Sequence, residues 1–475
     1  MSKQIIIPID ASAAARNLVV NIPDPVLSLS GNTINVSQAD PTWSLPAATP
    51  IPITTPAPAA QTYKMARAAA GDIPNYGRGL CDFGTQAFPY KSKSIYARFS
   101  WALLWNQGGL TISSLKSWLD TAKANKQSVN FRIGMFDSSV PSWGSVPIGG
   151  IACYYPTYVH TLMQAEAIKD FNNSKLWFPN WNSAALQTEW DKFVSALVSW
   201  LRANGYYSMI DFIDVFGYGD YQAEFHMYSF DTIEATNKTH ITEASLKFFI
   251  DTNLKYFNDI PNIGNEALLD TRSSTDNVAY YAMTVKNNSG LLGFRTDHLG
   301  WFSTIAFDKS MLNRSVNGLN LLSEYQKRYL YAPMIGEPMN SASAVTPAGG
   351  TPYQTMQQDV LDFGLVQFEN TSVDKTAAAQ SNFMNACAAI GQVGIDSVTI
   401  DSTGKATAVF FTTGKPGLYW PWKVTFIADG VKLTDNSIPA TTKTLSVMLV
   451  DPTGYRDPFY LANSGRQTDG SYKIF

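Results

Sequence analysis

Between about residue 78 and residue 392, short apolar runs rich in β-branched and aromatic residues alternate with helical patterns, and this alternation narrows the possible folds most. Eight such runs occur, at 79–83, 95–99, 129–133, 210–216, 260–268, 291–295, 332–336 and 364–368. Between and after them, 112–126, 188–204, 241–257 and 376–390 carry apolar residues at spacings of three and four, the mark of a helix with one buried face. The pattern predicts α/β architecture, a (β/α)8 TIM barrel with insertions over 71–392.

The flanks read differently. After residue 391 the helical patterns stop, and alternating runs at 398–400, 406–411, 423–427 and 444–450 predict a C-terminal antiparallel β-sandwich over 393–475. No Gly/Ser-rich or Pro-rich linker precedes it, so it is expected to sit against the barrel rather than hang from it. At the other end, residues 41–60 hold six prolines and no charge, which favours a polyproline-like extension. With short strand-like runs at 17–22 and 26–30, residues 1–70 read as an extended N-terminal arm. The arm is apolar yet too weakly patterned to fold alone, so residues 1–60 are expected to seek a protein partner or a second copy of the chain.

Composition removes several functions. Thirty-five basic against 38 acidic residues give a net charge of −3, with no electrostatic footprint for nucleic acid. No run of 18 apolar residues predicts membrane insertion, and the opening Met1–Asp10 segment is too short in apolar residues for a secretory signal. A place on an extracellular surface or particle is suspected, reached by another route. Cys81, Cys153 and Cys387 form no C-x-x-C, and the four histidines, His160, His226, His240 and His298, show no ligand spacing, so neither a metal nor another cofactor is expected. Charged residues are only 15 % while aromatics reach 13 %, a surface chemistry that suits glycan handling or assembly.

In a barrel of this kind the working residues lie at the C-terminal ends of the strands. Those ends carry Arg98 at the end of the second run with Trp101 just after it, Arg132 at the end of the third, then Tyr218, Tyr221, Glu224 and His226 after the fourth. Asp297 and Trp301 follow the sixth, and Glu337 ends the seventh. A carboxylate after strand four and a Glu ending strand seven is similar to the large clan of retaining glycoside hydrolases built on this barrel. More closely, 96–101, 217–220 with 224–226, and 333–337 resemble bacterial proteins with a β-galactosidase-like barrel and a C-terminal β-domain. The tail segments 393–395, 420–424 and 465–472 resemble that family's closing domain. Where the family usually has Trp-Gly-Glu-Trp-His, this chain has Gln222-Ala223-Glu224-Phe225-His226, keeping the acid and the His but neither tryptophan. Leu104-Trp105-Asn106 likewise replaces the family's Leu-Glu-Pro.

The resemblance implies Glu224 as acid/base and Glu337 as nucleophile of a retaining glycoside hydrolase acting on an uncharged oligo- or polysaccharide. Such cleavage needs two carboxyl groups about 5–5.5 Å apart, one protonated and one ionised. Burial beside Tyr221 and Phe225 is expected to keep Glu224 protonated, and Arg98 to hold Glu337 ionised. His226, Tyr218, Arg132 and Asp297 are candidates to bind sugar hydroxyls, and Trp101, Tyr221 and Trp301 to stack on sugar rings. Structural ion pairs for the arginines, and core packing for the aromatics, are the competing assignments. A second function class stays open beside the enzyme: a non-catalytic glycan-binding or structural subunit of a cell-surface, phage or secretion assembly, anchored by the arm.

Overall fold

The computed structural model describes residues 3–7, 18–22, 26–30, 33–37, 59–69, 75–83, 92–137, 145–163, 168–169, 177–220, 241–270, 274–299, 312–338, 352–370, 387–415 and 417–475. Contacts divide the chain into two units, Met1–Ala57 and Pro58–Phe475. Within the first, Lys3–Ile7 pairs antiparallel with Leu18–Ile22, and Val26–Ser30 with Thr33–Ser37. The two strand-like runs of the expected arm thus pair not with one another but each with a further strand close in sequence, Lys3–Ile7 for the first and Thr33–Ser37 for the second. The proline-rich stretch 41–58 lies outside the described residues.

The second unit is a mixed helix and strand structure around one eight-stranded parallel sheet. Its strands are β1 (Gly79–Phe83), β2 (Ser94–Ser100), β3 (Ser128–Gly134), β4 (Ile213–Asp214), β5 (Asn262–Asn265), β6 (Gly293–Leu299), β7 (Met334–Pro338) and β8 (Gln367–Asn370), in the spatial order β3-β2-β1-β8-β7-β6-β5-β4. Every neighbouring pair is parallel. Just ahead of β4, Ile210 bridges in parallel to Val129 of β3, and the Asp211 N–H donates to the Val129 carbonyl at 3.3 Å.

Helices α1 (Ser113–Ala124), α2 (Ala184–Ala203), α3 (Glu243–Tyr256), α4 (Asp276–Thr284), α5 (Leu321–Lys327) and α6 (Pro352–Phe363) fall between these strands. Four begin at a side-chain cap that satisfies an otherwise orphaned N–H: Ser183 for α2, Thr242 for α3, Thr275 for α4 and Asn320 for α5. Along α2, Leu186, Trp190, Phe193, Leu197 and Leu201 make the buried stripe, and Trp190 stands edge-on to Phe216 at 5.8 Å.

Several expected strands differ from what forms: the 210–216 run is strand only over Ile213–Asp214, and the 291–295 and 332–336 runs begin two residues later, at Gly293 and Met334. The 260–268 run is strand only over Asn262–Asn265, because the Asn265 side chain then accepts from Ala267 N at 2.8 Å and turns the chain into a 3-10 segment, Glu266–Leu269. The 364–368 run starts later, at Gln367, because Gly364 takes φ +69° and closes α6 with a bond from its N–H to Val360 O at 2.9 Å. Of the expected 376–390 helix, only residues 387–390 are described.

The C-terminal region holds β9 (Gln392–Ile400), β10 (Ala406–Thr413), β11 (Lys423–Ala428), β12 (Val431–Lys432), β13 (Leu445–Val450) and β14 (Tyr472–Lys473). They form two antiparallel sheets, one of β9 and β10, the other ordered β12-β11-β13-β14. Gln61–Lys64, which the sequence groups with the arm, is the third strand of the first sheet, paired antiparallel with β9. Ile395 and Val398 of β9, Phe426 of β11, Leu445 and Val447 of β13, and Phe459 belong to one buried apolar cluster.

This region grips the N-terminal edge of the parallel sheet. Tyr455 donates to Gln127 O at 2.6 Å, Lys93 pairs with Asp457 at 2.9 Å, and Asn75 exchanges two bonds with Tyr460 at 2.9 and 2.8 Å. At the centre stands Arg456, whose Nε is 2.9 Å from Asp211 Oδ1.

Candidate active site

Strand alternation sends successive side chains to opposite faces. On one face, Phe99, Phe131 and Phe216 pack against helices and one another. The other face begins, near the strand starts, with a small apolar layer of Phe212, Ile263, Ile335 and Val366, against which Tyr419 packs. Two residues further along, the same face turns polar. Tyr96 and Arg98 come from β2, Asn130 and Arg132 from β3, Asp214 from β4, Arg295 from β6, Glu337 from β7, and Gln367 and Glu369 from β8.

These groups interlock. Arg295 Nε is 2.8 Å from Glu369 Oε2, and its Nη2 pairs with Glu337 Oε2. Arg98 Nη2 lies 3.4 Å from both oxygens of Glu337. Asn130 Nδ2 donates to Glu369 Oε1 at 2.8 Å and reaches Asp214 Oδ1 at 3.5 Å. The Arg98 and Arg132 guanidiniums stand 5.8 and 5.6 Å from the centre of the Tyr96 ring. Asp214 Oδ2, Asn130 Oδ1 and both polar atoms of Gln367 have no hydrogen-bond partner among the described residues.

Exposure grades the three acids. The Glu369 side chain is 0 % exposed and that of Glu337 16 %, so Glu337 is the one that meets solvent. Burial raises Glu369, assisted by the Asp214 charge and opposed by Arg295, Arg132 and Arg98, so that it is pushed up to about 7. Burial raises Asp214 also, against the pull of Arg295 and Arg132.

A stability signature follows. An acid raised from 4.5 to about 7 on folding binds its proton more tightly in the folded state, so its contribution favours the fold at low pH and is lost as pH rises through that window. The stability of the wild type relative to Glu369→Gln should therefore fall between pH 5 and pH 8, by at most about 3 kcal/mol. Denaturant titrations of both proteins across that range check it, and a flat difference would mean that Glu369 titrates as it does in the unfolded chain.

Of the residues singled out from sequence, Arg98, Arg132 and Glu337 are brought to one polar face. Trp101 is not: the chain enters a helical turn, Trp101–Leu104, directly after β2, and the indole lies fully buried, edge-on to Trp190 at 5.0 Å. Tyr218 is also buried, its ring edge-on to Trp181 at 4.9 Å. Neither ring is available to a sugar in this arrangement. Tyr221, Glu224, His226 and Trp301 lie outside the described residues, and Asp297 is on β6 with its side chain outside them. No group of three or more potential metal ligands occurs among the described residues.

The sequence reading passed over Tyr96, Asn130, Asp214, Arg295 and Glu369. A signal existed: Tyr96 with Arg98, Asn130 with Arg132, and Gln367 with Glu369 are polar pairs at i and i+2 inside otherwise apolar runs, which places each pair on one face of a strand.

No protein-family model and no curated protein sequence matches the chain. Among solved structures it is similar to the catalytic domain of β-amylase from Paenibacillus polymyxa, with TM-score 0.37 and 12 % identity over 65 % of this chain and 97 % of that one. It is also similar to endo-glycoceramidase II from Rhodococcus sp., with TM-score 0.41 and 9 % identity over 81 % and 86 % of the two chains. A third likeness is to GH10 from Paenibacillus barcinonensis, with TM-score 0.32 and 11 % identity over 65 % and 89 %. These neighbours are glycoside hydrolases, and likeness at this level leaves fold and chemistry to be read from the chain itself.

Proposed function

We propose that the chain is a glycan-active protein, a retaining glycoside hydrolase whose eight parallel strands close as a (β/α)8 barrel, with β9–β14 as an attached β-sandwich. Glu337 is its nucleophile and Glu224 its acid/base, acting on an uncharged oligo- or polysaccharide. The observation that carries this reading is Glu337 itself: the solvent-facing acid of the polar face, at the C-terminal end of β7, with guanidiniums from β2 and β6 on its carboxylate. A carboxylate gripped by two arginines is the ionised member that double displacement requires. The test is a panel of neutral polysaccharides and oligosaccharides, scored for released reducing ends and for the anomer first formed. Retention of configuration on any member supports the reading, and inversion removes it.

A second reading is favoured by the charge balance of the cluster, where Arg98, Arg132 and Arg295 face Asp214, Glu337 and Glu369. Such a network also suits a non-catalytic glycan-binding or structural subunit that assembles through residues 1–60. In that case deleting 1–60 should leave a soluble protein that no longer assembles. Light scattering on the full and shortened chains decides, since equal monomeric masses would remove the assembly role.

A further inference from the structure

We propose that Glu369 is a positioning residue for Glu337, acting through Arg295, whose planar guanidinium is ion-paired at Nε with Glu369 and at Nη2 with Glu337. The inference rests on the reading of Glu337 as the site's ionised carboxylate. It adds a residue from a strand that contributes nothing to the sequence-derived site.

Geometry supplies the argument. Arg295 enters from β6, between β5 and β7 in the sheet, whereas Glu369 enters from β8, on the other side of β7. A guanidinium is a rigid fork, so fixing one edge fixes where the other points. Arg295 is 1 % exposed and Glu369 0 %, so solvent does not compete for either end of the buried contact. Glu369 is itself held, because Asn130 Nδ2 donates to its other oxygen at 2.8 Å. The chain of contacts therefore runs from β3 through β8 and β6 to β7, ending on the acid that meets solvent.

The same contacts make the grip pH-sensitive. Glu369 is faced by Asp214 from β4, by Arg98 and Tyr96 from β2, by Arg132 and Asn130 from β3, by Arg295 from β6, and in register by Cys81 from β1. Arginine side chains in general stay charged throughout the neutral range. Burial pushes both Tyr96 and Glu369 up, Tyr96 out of that range and Glu369 to about 7, leaving the Glu369–Asp214 pair as the proton-exchanging element there. With the pair singly protonated, Arg295 turns more of its charge to Glu337. With both ionised, Glu369 competes for it.

The experiment uses the full chain with glutamate side-chain carboxyls labelled with 13C, the Glu337 resonance being the one lost in Glu337→Gln. In the wild type this resonance should move with a midpoint near pH 7. The inflection should vanish in Glu369→Gln. It should also vanish in Arg295→Lys, which keeps the charge but not the fork, and in Arg295→Met, each accepted only if its near-ultraviolet circular dichroism matches the wild type. A wild type without the inflection, or an inflection that survives Glu369→Gln, overturns the proposal. Survival in both Arg295 variants leaves a field effect without positioning, and also overturns it. Absence of turnover on every glycan would remove the hydrolase reading while leaving this result intact.

Discussion

Replacing Arg456 by methionine should destabilise the protein by about 3–5 kcal/mol, the cost of leaving a buried partner charge without its counter-ion. The Arg456 side chain is 0 % exposed, with Nε and Nη2 each 2.9 Å from Asp211 Oδ1. Its Nη1 donates to Ser208 O at 2.7 Å, its Nη2 to Ile210 O at 3.0 Å, and its guanidinium lies 3.8 Å from the centre of the Trp420 ring. Asp211 in turn accepts from Ser94 Oγ at 3.0 Å and from Ser128 Oγ, at the starts of β2 and β3. Burial pushes Asp211 up and Arg456 opposes that rise, so without the guanidinium the acid takes a proton or draws in water. Denaturant unfolding measures the loss. Arg456 Nη1 also lies 3.4 Å from Asp451 Oδ2; adding Asp211→Asn to the methionine variant should recover about 1 kcal/mol or more, because the nearer of the two stranded charges is gone. A single-variant loss below about 1 kcal/mol would mean that the C-terminal sheets are held by their other contacts.

Glu337→Gln should reduce turnover roughly 10³-fold or more on any glycan the protein cleaves, the scale of losing a group whose work is done in the transition state. The amide is nearly isosteric but carries no charge, so it forms no glycosyl bond and meets Arg98 and Arg295 as a weaker acceptor. Substrate binding should change far less than turnover, and a covalent glycosyl adduct trapped in the wild type should be missing from the variant. Equal rates in the two proteins would end the assignment of Glu337 as nucleophile, whichever residue serves as acid.

The parallel sheet was legible because its runs are rich in β-branched and aromatic residues and are punctuated by amphipathic helices; α1, α2 and α3 begin and end within four residues of the expected limits. What escaped was decided by contacts remote in sequence. Nothing in Gln61-Thr62-Tyr63-Lys64 announces that its partner is β9, since a strand's propensity says how it extends and not whom it pairs with. Trp101 illustrates the same limit within the site. Its position after a strand suggested the mouth, yet an immediate helical turn sends the ring to α2. Glu369 was missed by one residue, the expected strand ending at 368, although its alternation with Gln367 was readable. Asp214 sat with Asp211 inside an otherwise apolar run, where an acid looks incidental until its neighbours across the sheet are known.

The pairing of Gln61–Lys64 with β9 also orders events in time. Thr62 and Thr399, whose hydroxyls lie 2.9 Å apart, are separated by 337 positions. At ribosomal speeds of about 5–20 residues per second, the first strand waits roughly 20–70 s for its partner to be synthesised. During that interval its backbone donors and acceptors lack their mate, while the eight parallel strands emerge and can begin to associate. Completion of this three-stranded sheet is consequently a late, post-emergence step that stitches the two ends of the Pro58–Phe475 unit together. A fragment that begins at residue 71 would reach the same stage with an open edge on β9, and would recruit other nascent chains there instead of its own.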